Sequence, residues 1–513
     1  MTNFDLEATW AYHNRTKHSP QSVRSNPHFL DWANQPLPFK IYPGLDPISL
    51  PREVTPTGIA ALSAIGAFGP PAESPSQIGR KELGLLMYFT AGITRTRAYP
   101  GGKIYFRAAA CTGALYEVEL YLVCADLQDL AAGVYHFNPA DFALRRLREG
   151  DWRDVLVQAT GGEPAVAQAP LIVVCTGNYW RNAWKYQERT YRHFGWDNGT
   201  LLANLLSLCA ALGLPARILA GFVDETVTSL LDLDGEREVP FSLVAVGSME
   251  TPPPPAPGQP ERRGYETVRL SQREVDHPAM RAMHSASSLH SAEEVREWRG
   301  SMPESPPHEP STAMVPLAPL AAEEWLRDPI EQVILRRGST RRFARQPITM
   351  AELSTLLERA TRGIPADFLA REGKLLNDLY LIVHAVEGLA SGAYFFSREA
   401  CALEPLRLGE FRKEAAYLGL EQELPGDASV AVFFLSDLQR VLDRFGNRGY
   451  RAAHLEAGIL GGRLYLAAYA LGLGASGLTF YDDDVVNFFS PHANGKSAIF
   501  LTALGQRARH KKS

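Results

Sequence analysis

Four arginines fall within seven residues in Arg336-Arg337-Gly338-Ser339-Thr340-Arg341-Arg342, just ahead of Phe343. The stretch follows the apolar helical run DPIEQVIL and precedes a second helix expected from about Thr349. Guanidinium groups grip a phosphate bidentately, hydroxyls donate to it, and glycine lets the backbone come close. A solvated basic loop has the same composition, so the residues alone leave both readings open. A second stretch, Ala108-Ala109-Ala110-Cys111-Thr112-Gly113-Ala114-Leu115-Tyr116, is made almost wholly of small residues. It suits the approach of a flat ring or a backbone, and equally a helix start packed on a neighbour. A third, Trp184-Lys185-Tyr186, lies five residues before Tyr191-Arg192. A lysine beside a tyrosine forms a base and acid pair where burial moves both pKa values toward neutrality. A surface lysine next to a packed tyrosine is the plain alternative.

Other patterns carry less. Gly472-Leu473-Gly474-Ala475-Ser476-Gly477 matches GxGxxG, but it follows a helix and opens a strand, the reverse of a dinucleotide fingerprint. Asp482-Asp483-Asp484 reads as a solvated turn. His284 and His290 have no partners at metal-ligand spacing. With no GxSxG, HExxH or P-loop, a hydrolase elbow and a metal site are not expected. The five cysteines (111, 124, 175, 209 and 401) are scattered without a CxxC, which argues against a disulfide framework and for a cytoplasmic location.

These residues must be positioned by a duplicated unit. Leu120-Tyr121-Leu122, Gly133-Val134-Tyr135, Tyr191-Arg192 and Leu212-Gly213-Leu214 recur 259 residues later as Leu379-Tyr380-Leu381, Gly392-Ala393-Tyr394, Tyr450-Arg451 and Leu471-Gly472-Leu473. Each copy runs strand, Gly-aromatic hairpin, apolar strand, Tyr-Arg, long apolar helix and final strand, an α+β arrangement. Proline-rich segments, TPPPPAPGQP and PESPPHEP, separate the copies. The expected organisation is an N-terminal arm or lid (1–60), a first domain (61–250), a linker (251–325) and a second domain (326–513). A capping box, Ser291 with Glu294, predicts a short helix in that linker. A helix apolar all round must be covered on every side, so the two long helices are expected to pack together in an intramolecular pseudo-dimer with sites at the seam. At the position of Lys185-Tyr186 the second copy has Arg444-Phe445, neither of which exchanges a proton at neutral pH. The apolar stretch 201–223 contains Asn204, Pro215 and Arg217, and reads as a buried helix and a strand rather than a membrane span. A chain of 513 residues, 45% hydrophobic and 21% charged with net charge −5, excludes wholesale disorder and offers no basic field for nucleic acid or anionic membrane.

Arg337-x-Ser339-x-Arg341 ahead of a helix, with the Leu-Gly-Leu helix end and a C-terminal strand, resembles the FMN-dependent nitroreductase superfamily. Within it the chain is similar to the SagB-type dehydrogenases, relatives of azole-forming enzymes. The similarity also rests on Cys111-Thr112-Gly113-Ala114-Leu115-Tyr116, Lys185-Tyr186, Ala220-Gly221-Phe222-Val223-Asp224 and Leu243-Val244-Ala245-Val246-Gly247. It implies a dimeric α+β fold with FMN at the interface, its phosphate held by Arg337, Ser339 and Arg341 with help from Arg507 and Arg509. It further implies Cys111, Thr112 and Gly113 against the flavin, Leu478 and Thr479 near the reactive edge, and Lys185 and Tyr186 as the catalytic pair. The first copy lacks the arginine motif and the second lacks the small-residue motif, so one composite FMN site per chain is expected. The implied activity is a two-electron dehydrogenation of a peptide or peptide-derived heterocycle. The alternatives are an NAD(P)H-dependent nitroreductase or quinone reductase, with NAD(P)H or O2 as redox partner, and a degenerate flavin-binding scaffold in a biosynthetic complex. Further oligomerisation is left open.

Overall fold

The computed structural model describes residues 2–25, 27–52, 55–67, 78–99, 102–303, 313–370 and 375–508. The first copy supplies β1 (Pro47–Ser49), β2 (Ile93–Tyr99), β3 (Gly102–Arg107), β4 (Val118–Cys124), β5 (Gly133–Asn138), β6 (Ala143–Glu149), β7 (Leu171–Asn178), β8 (Ala216–Leu219) and β9 (Glu238–Val246). The second supplies β10 (Val315–Pro316), β11 (Ile348–Thr349), β12 (Asp378–Val383), β13 (Val386–Glu387), β14 (Gly392–Ser397), β15 (Ala402–Leu408), β16 (Val430–Ser436), β17 (Gly474–Leu478) and β18 (Ser497–Gly505). Two seven-stranded antiparallel sheets result, ordered β1-β6-β5-β4-β7-β9-β8 and β10-β15-β14-β12-β16-β18-β17. The two orders are one topology built twice, and β14, β15 and β18 begin and end 259 residues after β5, β6 and β9. The central strands β7 and β16 read LIVVCTGN and VAVFFLS and are buried along their length. Such continuous runs suit strands covered on both faces. β2 and β3 form a separate hairpin, and β11 and β13 a short parallel pair.

The long helices Thr190–Ala211 and Arg448–Ala470 meet along glycines. A Cβ on Gly199 would lie 2.5 Å from the Gly458 carbonyl carbon and the Ile459 nitrogen, and one on Gly195 would lie 2.4 Å from His454 Cβ. The backbones therefore touch where the side chain is a single hydrogen. The expectation of apolar helices needs correction: both are buried, yet they carry buried Arg192, Asp197, Arg448, Arg451, Glu456 and Arg463. Three of these charges, Arg192, Arg448 and Arg451, are paired with a carboxylate of the other copy. Arg189 and Arg192 of the first copy hold Asp482 of the second, at 3.1 and 2.6 Å. Their counterparts 259 residues on, Arg448 and Arg451, hold Asp224 of the first, the latter at 2.8 Å. Reciprocal exchange of the same contact is the signature of a twofold interface. Asp224 and Asp482 each open a helix, Asp224–Leu230 and Asp482–Phe489, where a carboxylate is favoured. Asp482 is thus buried and not part of a solvated turn, while Asp483 pairs with Lys17 and Asp484 accepts from Tyr417.

The N-terminal helix Glu7–Arg15 crosses this seam. The Tyr12 ring stands edge-on to Tyr191 and to Tyr450, the paired landmarks of the repeat. Arg192 donates to the His13 carbonyl and Thr16 hydroxyl, and the His18 amide donates to Asp482. The segment joining the copies carries helices Pro278–Ala286 and Ala292–Trp298, with Met280, Met283 and Trp298 buried. Ser291 caps the second of these at the Glu294 amide, and the Glu294 carboxylate accepts from His290, one residue earlier than a capping box requires. No helix among the described residues is long and apolar enough to cross a membrane.

Candidate functional site

A cleft of about 2390 Å³ opens between the copies. The residues singled out from the sequence line it together: Cys111, Thr112, Gly113, Lys185 and Tyr186 from the first copy, and Arg337, Ser339, Arg341, Leu478, Thr479 and Arg507 from the second. Arg509 lies outside the described residues.

The arginine loop leaves helix Ile330–Arg336 and is fixed by backbone bonds: Thr340 N donates to Ala475 O, and Phe343 bridges Arg507. Thr349 caps helix Met350–Thr361 beyond it, reciprocated by Glu352. Arg337 reaches into the first copy, donating from Nε to Ala108 O at 3.0 Å and from Nη2 to Arg107 O at 3.2 Å. Burial lowers its pKa. The Ser339 hydroxyl lies 3.3 Å from Tyr465 Oη, and Arg507 stacks over the Tyr469 ring at 5.1 Å. Arg341 is exposed, with no carboxylate partner among the described residues. Gly338 is not required by space, since a Cβ there would meet only Tyr469 Oη at an ordinary 3.7 Å.

The small-residue stretch turns sharply, with Gly113, Ala114 and Tyr116 all in the left-handed region. Gly113 has a steric reason as well. A Cβ there would lie 2.8 Å from Tyr186 Oη, so glycine is what allows the phenol to sit over this turn. Beneath it is a cluster absent from the sequence-based expectations. Thr112 donates through its amide and hydroxyl to Asp197 at 2.9 Å. The Cys111 thiol lies 3.3 Å from Asp197 Oδ2 and 3.4 Å from Glu117 Oε2. Burial, then Glu117, pushes the Asp197 carboxyl well up, and burial, then Asp197 and Glu117, push the Cys111 thiol up likewise. Cys111 is therefore a hydrogen-bonded thiol and not a thiolate nucleophile. These three side chains form the one group with metal-ligand spacing among the described residues, and Thr112 already occupies both Asp197 oxygens. The available signal was Asp197 itself, an acid inside a helix that is otherwise buried and largely apolar.

Lys185 and Tyr186 end helix Tyr179–Tyr186, which Asn178 caps and Gln187, with φ of 50°, terminates. Lys185 Nζ stands 5.3 Å from the Tyr186 ring centroid. Burial first, then the Arg341 charge, lowers the Lys185 pKa. Tyr186 moves the other way, raised by burial and then by Asp197, Cys111 and Glu117. The expectation that both approach neutrality holds for the lysine alone. Tyr186 keeps its proton at neutral pH and cannot serve as the base.

At the related position of the second copy the space is filled by the connecting segment. Arg444, the counterpart of Lys185, donates to the carbonyls of Trp298, Arg299 and Ser301 at 3.2, 2.9 and 3.2 Å. The Trp298 ring packs on Phe445 at 5.3 Å, and its Nε1 donates to Phe445 O. A Cβ on Gly221 would lie 2.8 Å from that indole.

The nitroreductase family model matches residues 90–248 and again 334–494. Putative nitroreductase MJ1384 of Methanocaldococcus jannaschii is 27% identical over 165 residues, 30% of this chain and 81% of that protein. The microcin B17-processing protein McbC of Escherichia coli is 26% identical over 159 residues, 30% of this chain and 54% of that protein. A crystal structure of a putative nitroreductase from Anabaena variabilis aligns with a TM-score of 0.77 at 26% identity, over 98% of this chain and 99% of its own.

Proposed function

Because the chain belongs to the nitroreductase family and carries its mixed α/β fold twice in tandem, we propose that it is an FMN-dependent dehydrogenase that removes two electrons from a peptide or a peptide-derived heterocycle. The observation that carries this reading is the convergence on one cleft of the arginine loop of the second copy and the Lys185-Tyr186 pair of the first. Similarity to McbC, a protein that processes microcin B17, supports a peptide substrate. The donor set fits FMN. Arg337, Ser339, Arg341 and Arg507 would hold its phosphate, and Thr479 Oγ1, buried without a hydrogen-bond partner among the described residues, would meet a ring polar atom. Cys111, Thr112, Gly113 and Leu478 would lie against the ring. When bound, FMN supplies the two-electron redox chemistry.

The remaining work falls to side chains. Lys185 Nζ, its charge disfavoured by burial and by Arg341, accepts the proton that leaves the substrate. Tyr186 Oη donates a hydrogen bond that orients the reacting group. The Asp197 carboxyl, accepting from the Thr112 amide and hydroxyl, fixes the turn beneath Tyr186. One composite site per chain follows, in a pseudo-dimer assembled on the two long helices, and a cytoplasmic location suits the five scattered cysteines.

Absorption of the purified protein in the flavin band, with FMN counted per chain, tests the reading. The expected count is one, with loss of two mass units from a peptide substrate. A colourless protein that refuses added FMN ends the proposal, and two FMN per chain end the composite site. The names of the M. jannaschii and A. variabilis relatives favour a second reading, reduction of a nitroaromatic or quinone by NAD(P)H. Steady NADPH oxidation with a nitroaromatic and no change in any peptide would select it.

A further inference from the structure

The hairpin β2–β3 has no counterpart in the second copy: between helix Met350–Thr361 and β12 there is no strand among the described residues. It stands only over the composite cleft, which Thr94, Arg95, Arg97, Phe106 and Arg107 help to line. Residues 93–107 hold four cations, Arg95, Arg97, Lys103 and Arg107, and no acid, in a chain whose net charge is −5. Arg95 is pinned over the Phe106 ring at 4.4 Å, and neither Arg95 nor Arg97 has a carboxylate partner among the described residues. The two arginines alternate along one strand and so project from one face, about 7 Å apart. Among the described residues β2 pairs only with β3, and its outer backbone edge carries no other strand. The cleft is more than twice the volume of an ordinary small-molecule pocket of about 300–1,000 Å³. It has room for an extended chain beside a cofactor.

We propose that β2 receives an extended acidic peptide as a third strand, with carboxylates at alternate positions meeting Arg95 and Arg97. Backbone hydrogen bonds along the open edge supply affinity whatever the sequence, and the alternating side chains supply selection. Charges on an edge strand also discourage unwanted pairing, but a positive edge repels only positive or apolar partners and attracts an acidic one. The inference rests on the peptide reading above and deepens it by giving the substrate a charge pattern.

The test uses the full-length protein loaded with FMN and fluorescent peptides of nine residues or so, extended and uncharged except for two glutamates two residues apart. A matched peptide carries glutamines instead. Anisotropy should show the glutamate peptide binding about tenfold more tightly, because each contact joins a guanidinium to a carboxylate. Raising the salt should narrow the gap. In Arg95→Gln/Arg97→Gln the preference should vanish while the FMN count is kept. In Arg95→Glu/Arg97→Glu, a peptide with lysines at the two positions should become the tighter ligand, which a merely destabilised hairpin would not produce. Equal binding of the two peptides by the native protein overturns the proposal. So does loss of FMN from the glutamine variant, which would make these arginines phosphate ligands, and so does displacement of the peptide by NADPH. Preference for the glutamate peptide in a protein that refuses added FMN would sink the dehydrogenase reading and leave this one standing.

Discussion

A backbone-on-backbone contact in the seam is the cheapest place to test whether the two copies build one site. In Gly199→Ala the new methyl would sit 2.5 Å from the Gly458 carbonyl carbon, the Ile459 nitrogen and the Leu455 oxygen. All three are backbone atoms of a buried helix, so no side chain can swing aside. Ordinary contact begins at 3.4 Å, so the helices must part by roughly 0.9 Å along that line. Overpacking of this kind costs about 1–3 kcal/mol, and a backbone-on-backbone clash belongs at the upper end. Replacing glycine by alanine inside a helix returns about 1 kcal/mol. The net expectation is a loss of about 2 kcal/mol in unfolding free energy, read by urea titration of tryptophan fluorescence. Because the arginine loop and the Lys185-Tyr186 pair sit on opposite sides of the seam, the same variant should release FMN more readily. Gly258→Ala is the control: nothing lies within 4 Å of its Cβ and its φ is unremarkable, so neither quantity should move. If Gly199→Ala proves neutral or stabilising, helix propensity has won, the seam is looser than described, and the composite site loses its foundation.

Three further outcomes are expected. Lys185→Met should lower kcat by about 10²–10⁴-fold with FMN retained; the native rate should rise with pH along a limb below the ordinary lysine value of 10.5, and that limb should be missing from the variant. Asp224→Asn strands the buried Arg448 and Arg451 charges and should cost about 3–5 kcal/mol in a denaturant titration at pH 7. Since the Asp224 carboxyl is depressed from 3.8 to about 2, its contribution is present above pH 4 and fades as pH falls toward 2, so native and variant stabilities should converge there. Trp298→Ala should destabilise by about 3–5 kcal/mol yet leave one FMN per chain by absorbance, because Arg444 and Phe445 remain; a second bound FMN would show that the indole alone closes the related site.

Much of this was legible because a duplication leaves two noisy copies of one pattern. The constant spacing of 259 located strands and helices that neither copy would have revealed alone, and its failures at Arg444 and Phe445 showed which half could exchange a proton. Groups that act through burial were not legible. Asp482 reads as one of three acids in a row, and only the fold shows that its neighbours face solvent while it lies between Arg189 and Arg192. Asp197 and Glu117 are 80 residues apart, so no local pattern announces that they share a pocket with Cys111. The direction of the Tyr186 shift was equally hidden, because the carboxylates that raise it come from the turn and the long helix.

The asymmetry of the two halves has a physical logic. In a dimer of identical subunits each chain must carry both the arginine loop and the small-residue turn, since every interface position is used twice. Joining the copies removes that constraint: each motif need survive only on the half that faces the retained site. On the proposed reading, the related position of the second copy holds no ring, and a cavity of ring size between buried helices would forfeit dispersion contacts and transfer free energy. Here the segment that connects the copies supplies the filling. Trp298 covers Gly221 and Phe445, and the Arg444 guanidinium donates to three carbonyls of that same segment. The hairpin β2–β3, unmatched in the other half, is the complementary change. On the proposal of one composite site, the Trp298 filling at one position and the Arg95 and Arg97 hairpin over the other are two sides of one asymmetry.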